Sequence, residues 1–83
     1  MDKDLLKIKI SDCFEGRGCK IVFDPADHYG WLNINCSCCI FPDDIKRLRE
    51  LLYVSSICAS IDYTQILPVP FIEISCCYKD AVL

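Results

Sequence analysis

The segment WLNINCSCCI, residues 31–40, constrains the fold most, because its side chains alternate between two kinds. Successive side chains of a β-strand point to opposite faces of a sheet. One set is apolar throughout if cysteine counts as hydrophobic, and it consists of Leu32, Ile34, Cys36, Cys38 and Ile40. The other set consists of Trp31, Asn33, Asn35, Ser37 and Cys39. The pattern predicts a strand with one face in the core and the other face open.

Two more strands are predicted on the N-terminal side of this segment. Apolar and polar residues alternate over residues 6–10 (LKIKI), which is typical of a half-buried strand. The run CKIVFD predicts the next strand over residues 19–24. Gly16-Arg17 lies between them and suits the two-residue turn of a hairpin. Residues 24–30 have the proline, aspartate and glycine content of a loop.

The second half of the chain predicts a helix and a last strand. Pro42 and the two aspartates after it are typical of a helix N-terminus. Apolar residues continue at helical spacing and predict that the helix ends near Ser60. They are Ile45, Leu48, Leu52 and Ala59, flanked by Leu51 and Cys58. Residues 62–70 contain two prolines and are predicted to be irregular, whereas residues 71–78 alternate as a strand.

The resulting order, β-β-β-α-β, predicts an α+β fold. We expect a single domain over residues 1–83, because a chain of this length has no room for a second core. Its four strands are predicted to form one mostly antiparallel sheet with one helix packed on one face. The last strand is predicted to lie beside the first strand, through a crossover of the usual hand.

The eight cysteines admit three interpretations. The favoured one is that compact hydrophobic thiols fill the core, with Cys36, Cys38 and Cys76 on the core side of the sheet and Cys58 near the apolar stripe of the helix. The second is a zinc ion held between sheet and helix by four thiolates, which would satisfy tetrahedral coordination. Those four are Cys36, Cys38, Cys58 and Cys76. The third is a set of disulfides pairing Cys13 with Cys19, or Cys39 with Cys77, which a reducing cytosol disfavours.

The sequence does not predict catalytic chemistry. His28 is the single histidine, and nothing in the sequence places a cysteine beside it, so a cysteine nucleophile would lack its usual base. The chain has no phosphate-binding glycine motif, no G-x-S-x-G and no H-E-x-x-H. We therefore expect a protein that is not an enzyme and needs no cofactor.

The face of the sheet opposite the helix is the predicted contact surface. Its candidate partner-binding residues are Lys7, Lys9, Lys20, Trp31, Asn33, Asn35, Phe71 and Glu73. Aromatic side chains among amides and charges are typical of protein-binding patches. Asp24 and Asp27 of the acidic loop are a second candidate contact, suited to a basic channel on a partner.

Charge and hydropathy narrow the class of partner. Nine Lys and Arg against twelve Asp and Glu give a net charge of −3, which argues against direct binding of nucleic acid. No apolar run has the length of a signal peptide or a membrane span, so we expect a cytoplasmic protein without a membrane partner.

The sequence thus predicts a small cytosolic protein-binding module, a non-catalytic inhibitor or adaptor that also forms a homodimer. By analogy of size and charge alone, an anti-defence protein of a phage or mobile element, such as an anti-CRISPR, is a concrete form of that hypothesis. The alternative hypothesis is a small zinc-binding protein that uses the four thiolates named above.

Overall fold

The computed structural model describes residues 2–24, 30–37, 39–64, 66, 69–79 and 81. Within them the elements are α1 (Lys3–Cys13), β1 (Cys19–Phe23), β2 (Trp31–Cys36), α2 (Pro42–Leu51), β3 (Tyr53–Asp62) and β4 (Val69–Cys77). The strands form one antiparallel sheet in the order β1-β2-β4-β3. The predicted α+β class and four-stranded antiparallel sheet are confirmed, but the element order is α-β-β-α-β-β and a second helix is present.

The strand predicted over residues 6–10 is wrong, because these residues belong to α1. Leu6, Ile10 and Phe14 are fully buried, whereas Ile8 is 59% exposed. A spacing of four residues places side chains on one face of a helix, so burial follows the helical period. The Asp2 carboxylate caps the helix by accepting the backbone N–H groups of residues 4 and 5 at 3.0 and 3.1 Å.

The hairpin predicted at Gly16-Arg17 is also wrong, because this segment connects α1 to β1. The backbone N–H of Gly16 donates to the carbonyl of Ser11 at 3.1 Å and closes the end of the helix. Gly16 and Gly18 have φ angles of 70° and 82°, a region that other residues rarely adopt. These glycines therefore end a helix and turn the chain into β1.

The helix predicted to reach Ser60 ends at Leu51 instead. Leu52 already has extended backbone, with φ −136° and ψ 163°, and residues 53–62 form β3. Leu48 and Leu52 pack in the core as predicted, but Ala59 lies on a strand and is exposed. Serine and β-branched residues are poor helix formers and leave the segment after Leu52 free to pair with β4.

The last strand agrees closely with its prediction, since β4 buries Ile74 and Cys76 on one side. However, Pro70 belongs to β4 rather than to an irregular segment. It lies beyond the end of the β2–β4 ladder at Cys36 and Ile72, so its missing N–H interrupts no bond to β2. The placement of this strand beside the first one is wrong, because β4 lies between β2 and β3.

The core lies between the two helices and one face of the sheet. Its fully buried apolar side chains come from α1 and the residue after it, from β2, from α2 and from β4. They are Leu6, Ile10, Phe14, Leu32, Ile34, Cys36, Leu48, Ile74 and Cys76, with Leu32 1% exposed. No helix of the described residues packs on the opposite face, which is therefore open.

A buried carboxylate ties α2 to the connection between α1 and β1. Asp44 is 1% exposed and accepts the backbone N–H of Phe41 at 2.8 Å, which satisfies a donor at the start of α2. Its carboxylate also pairs with Arg17, and with Arg47 at 2.5 Å. The Arg47 Nε atom donates in turn to the carbonyl of Cys13 at 3.0 Å. Asp44 thus links α2 directly to the connection after α1, and Arg47 links α2 to the end of α1.

Candidate functional site: the open face of the sheet

The open face is built by the strand residues that alternate with the core residues. On β2, Asn33 lies between Val22 and Ser75 in the register of the sheet, and Asn35 lies between Lys20 and Glu73. These pairs share a face because directly opposed residues of antiparallel strands point the same way. We define the open face as Lys20, Val22, Trp31, Asn33, Asn35, Tyr53, Ser56, Cys58, Ser60, Phe71, Glu73, Ser75 and Cys77.

The structure places six of the eight predicted partner-binding residues on this face. They are Lys20, Trp31, Asn33, Asn35, Phe71 and Glu73. Lys7 and Lys9 are not there, because residues 6–10 form a helix. Lys7 instead places its Nζ atom 5.5 Å from the ring centroid of Phe23, which faces the helices. The error in placing these lysines follows directly from the error in assigning their secondary structure.

Sequence analysis missed the contribution of β3 to this face. Tyr53, Ser56, Cys58 and Ser60 lie opposite Cys77, Ser75, Glu73 and Phe71, and all four are exposed. The signal that could have found them is the apolar and polar alternation on either side of Ser55-Ser56. A register shift between Val54 and Ser56 interrupts that alternation and conceals it.

The polar groups of the open face are arranged around β2. Ser75 Oγ and Asn33 Oδ1 are 2.9 Å apart, with the hydroxyl as donor, which orients the exposed Asn33 amide. Asn35 Oδ1 is shielded from water and has no hydrogen-bond partner among the described residues. A buried acceptor that lacks a hydrogen bond destabilises the protein. A donor from a binding partner would remove that penalty.

A small cavity lies at the Trp31 end of the open face. Its volume is about 170 Å³. Residues of β1 and β2 line it, together with the residue directly after β1. The lining residues are Val22, Phe23, Asp24, Trp31, Leu32 and Asn33. Small-molecule sites usually have roughly 300–1,000 Å³, so this depression is better suited to a single side chain of a partner.

The acidic loop is only partly within the described residues. Asp24 is half-buried, and its backbone N–H donates to the carbonyl of Trp31 at 3.0 Å, which extends the β1–β2 ladder by one pair. The Asp24 side chain therefore lies at the edge of the open face. Asp27 and His28 lie outside the described residues.

The thiols of the zinc hypothesis do not share one side of the sheet. Cys36 and Cys76 are fully buried on the helix side, whereas Cys58 is exposed on the open face opposite Glu73. Cys38 lies outside the described residues. In the part of the chain that the structure describes, no group of three or more His, Cys, Asp or Glu side chains is placed to hold a metal ion.

Burial also lowers the reactivity of the core thiols. Burial, together with the neighbouring Cys13 and Cys77, raises the pKa of Cys76 to about 12. Burial likewise raises the pKa of Cys13, against the opposing effect of Arg47. A thiol is a nucleophile or a metal ligand only as the thiolate. These two side chains are protonated near neutral pH and behave as hydrophobic filler.

Cys19 lies against Cys36, not against Cys13 as the favoured disulfide pairing required. Their Sγ atoms are 2.6 Å apart, and the two residues are directly opposed on β1 and β2. The backbone N–H of Asp24 donates to the carbonyl of Trp31, so alternation along the ladder makes Cys19 and Cys36 a non-hydrogen-bonded pair. Cα atoms at such a pair are about 4.5 Å apart, which is within the range that a disulfide spans.

We expect oxidised glutathione to convert this pair into a disulfide. The half-buried Cys19 attacks the glutathione disulfide and releases one thiol, and Cys36 then displaces the second. The link closes a loop between positions 17 apart, which should raise the free energy of unfolding by about 3 kcal/mol. Peptide mapping by mass spectrometry and urea unfolding with and without reductant measure both effects.

The exposed Cys58 provides the control for that experiment, because Cys58→Ser should leave the redox dependence of stability unchanged. A linked peptide that joins Cys13 to Cys19, or unfolding curves that coincide with and without reductant, would contradict the prediction.

Comparisons with known proteins suggest no function for the open face. The chain matches no protein-family model, and no curated protein or solved structure is significantly similar to it. Neither α1 nor α2, the helices of the described residues, is long and apolar enough to cross a membrane.

Proposed function

We propose that this protein is a small cytosolic protein-binding module, a non-catalytic inhibitor or adaptor that acts through the open face of its sheet. The observation that carries the proposal is the sidedness of β2. Its buried residues are aliphatic side chains and a thiol, whereas its open side presents Trp31 and two asparagine amides, flanked by Lys20 of β1 and Glu73 of β4. Tryptophan is among the residues that are enriched as anchors in protein interfaces.

The chemistry of the open face favours a protein partner over a small molecule. Lys20 and Glu73 flank Asn35 and offer one charge of each sign, which sets the orientation of a partner. Asn33 and Asn35 offer amides that donate and accept hydrogen bonds. The cavity beside Trp31 has the size of one side chain, as an anchor residue of a partner would need.

The thiol chemistry supports a role without catalysis. Cys13 and Cys76 are held protonated by burial, and the exposed Cys58 lies opposite Glu73 on the open face. A nucleophilic thiol needs a neighbouring base or a lowered pKa. The described residues thus provide hydrophobic filler and a contact surface.

The proposal is tested with a variant of the open face and a variant of the helix face. Trp31→Ala should abolish retention of the partner when protein from the source cells is passed over the immobilised chain, because it removes the anchor. The fold should persist, since Trp31 is not a core residue. Mass spectrometry identifies the retained protein, and its purified form gives the dissociation constant, which should rise at least tenfold.

Lys46→Ala on the exposed side of α2 is the matched control and should retain the partner as the unmodified chain does. Circular dichroism checks that both variants are folded. The proposal fails if folded Trp31→Ala binds the purified partner with unchanged affinity, or if Lys46→Ala weakens binding equally.

A further inference from the structure

The two edges of the sheet differ in how well they are protected from pairing with another strand. β1 forms one edge, is only five residues long and carries Lys20. β3 forms the other edge, is ten residues long, and has no charged residue and no proline from Tyr53 to Ile61. Proteins usually protect an edge with short length, lysine, proline or a bulge. β3 has only the irregularity at Val54/Ser56, near its N-terminal end.

The ladder shows which backbone groups of β3 have no partner strand among the described residues. The backbone N–H of Tyr78 donates to the carbonyl of Gly30 at 2.7 Å. Every second residue before Tyr78, namely Cys76, Ile74 and Ile72, therefore forms its backbone hydrogen bonds with β2. The residues between them bond to β3, and their partners include Cys58 and Ser60. The N–H and C=O groups of Ile57, Ala59 and Ile61 therefore point away from the sheet. Their side chains lie on the helix side, where Ile57 is 46% and Ile61 is 52% exposed.

We propose that this edge is the interface of a homodimer, in which β3 of a second copy of the chain pairs with it antiparallel. With a two-fold axis at Ala59, the outward-pointing N–H and C=O groups of one β3 form hydrogen bonds with those of the other. It places Ile57 of each copy opposite Ile61 of the other, on the same face. The result is one eight-stranded sheet, in which four isoleucines form a continuous apolar strip between the helices of the two copies.

A second copy fits this edge because the pairing is self-complementary. In the register centred on Ala59, Cys58 faces Ser60 and Ser56 faces Asp62, so no like charges are opposed. An axis perpendicular to the sheet keeps both open faces on one side and leaves Trp31 of each copy accessible. The dimer is thus independent of the surface proposed for the partner and presents that surface twice, which raises avidity for a bivalent partner.

The test measures the mass of the pure protein by analytical ultracentrifugation over a range of concentrations. The unmodified chain should sediment as a dimer. Ala59→Pro removes an N–H that points away from β4, so the β3–β4 ladder should persist while the dimer dissociates. Ile61→Lys places two charges at the apolar strip, and the dissociation constant should rise at least a hundredfold.

Ile8→Lys is the matched control, because Ile8 is an exposed isoleucine on α1, away from the edge. This variant should remain a dimer. Should Ala59→Pro fail to fold, Ile61→Lys decides, because the Ile61 side chain is already 52% exposed and its replacement should leave the fold intact. A chain that stays monomeric at all concentrations would overturn the proposal and leave the edge for a strand of a different protein. Folded variants that dimerise as tightly as the unmodified chain would also overturn it.

Discussion

Replacing Asp44 with alanine should lower the free energy of unfolding by about 3–5 kcal/mol, the usual cost of breaking a buried ion pair from one side. The carboxylate is 1% exposed and holds Arg17, Arg47 and the N–H of Phe41 together. Without it the guanidinium of Arg17 loses its buried partner, and α2 loses a hydrogen bond at its first turn. Urea unfolding followed by circular dichroism measures the change.

Asp43→Ala is the matched control, because Asp43 is the neighbouring acidic residue in the same helical turn and is exposed. Its loss should cost no more than about 1 kcal/mol, the usual size of an interaction with the helix dipole. Equal effects of the two substitutions would show that Asp44 acts only through the helix terminus and not through the arginines.

The same carboxylate makes stability depend on pH in the acid range. Burial acts to raise the pKa of Asp44, but the hydrogen bonds from Arg17 and from the N–H of Phe41, with the charges of both arginines, outweigh it and hold the pKa below its usual 3.8. A group whose pKa is lower in the folded state stabilises the fold above the unfolded pKa. That contribution is lost as the pH falls from about 4 through the folded value, and Asp44→Asn should lack this part of the acid destabilisation.

Alanine substitutions along α1 should have very unequal effects. Leu6→Ala and Ile10→Ala remove fully buried side chains and should each cost about 2–5 kcal/mol. Ile8→Ala changes an exposed residue and should stay within about 0.5 kcal/mol, because alanine is also the better helix former. Since small domains have only about 5–15 kcal/mol of stability, either core variant loses a large part of it.

This series distinguishes a helix from a strand at residues 6–10, whose sequence fits the spacing of both. A strand with Leu6, Ile8 and Ile10 on one face would lose similar stability at all three positions. The helix requires that only the positions four apart matter. Thermal unfolding of the three variants measured side by side decides, and a large loss in Ile8→Ala would contradict the helix.

The ambiguity at residues 6–10 explains why the N-terminal part of the fold was mispredicted. The sequence LKIKI alternates strictly, yet Leu6 and Ile10 are also four apart, and Phe14 continues that spacing. The capping carboxylate of Asp2 is a local signal of a helix start, and it was available in the sequence. A short apolar alternation alone does not distinguish the two structures.

The end of α2 could not be located from local spacing. Leu52 and Ala59 fit a helical stripe, but the structure uses Leu52 in the core and Ala59 on an edge strand. The decision depends on pairing with β4, a contact with residues far along the chain, which spacing within one segment does not reveal. The strand order follows from the same pairing.

The candidate site was predicted best where the alternation had one interpretation. Trp31, Asn33 and Phe71 lie on the open face because their neighbours Leu32, Ile34 and Ile72 face the core side of the sheet. The contact of Cys19 with Cys36 depends instead on β1 pairing with β2, and the sequence placed β1 in a different hairpin. Residue placement on one strand was therefore accessible, and pairing between strands was not.

The central claim is that the helices cover one face of the sheet and leave the other in water. The most direct measurement is the rate at which iodoacetamide alkylates each cysteine of the native, reduced protein, resolved by peptide mass spectrometry. Cys58 on the open face should react rapidly, whereas Cys36 and Cys76 should react only after unfolding in urea. If Cys36 and Cys76 react in the native protein as fast as Cys58, the assignment of the two faces is contradicted.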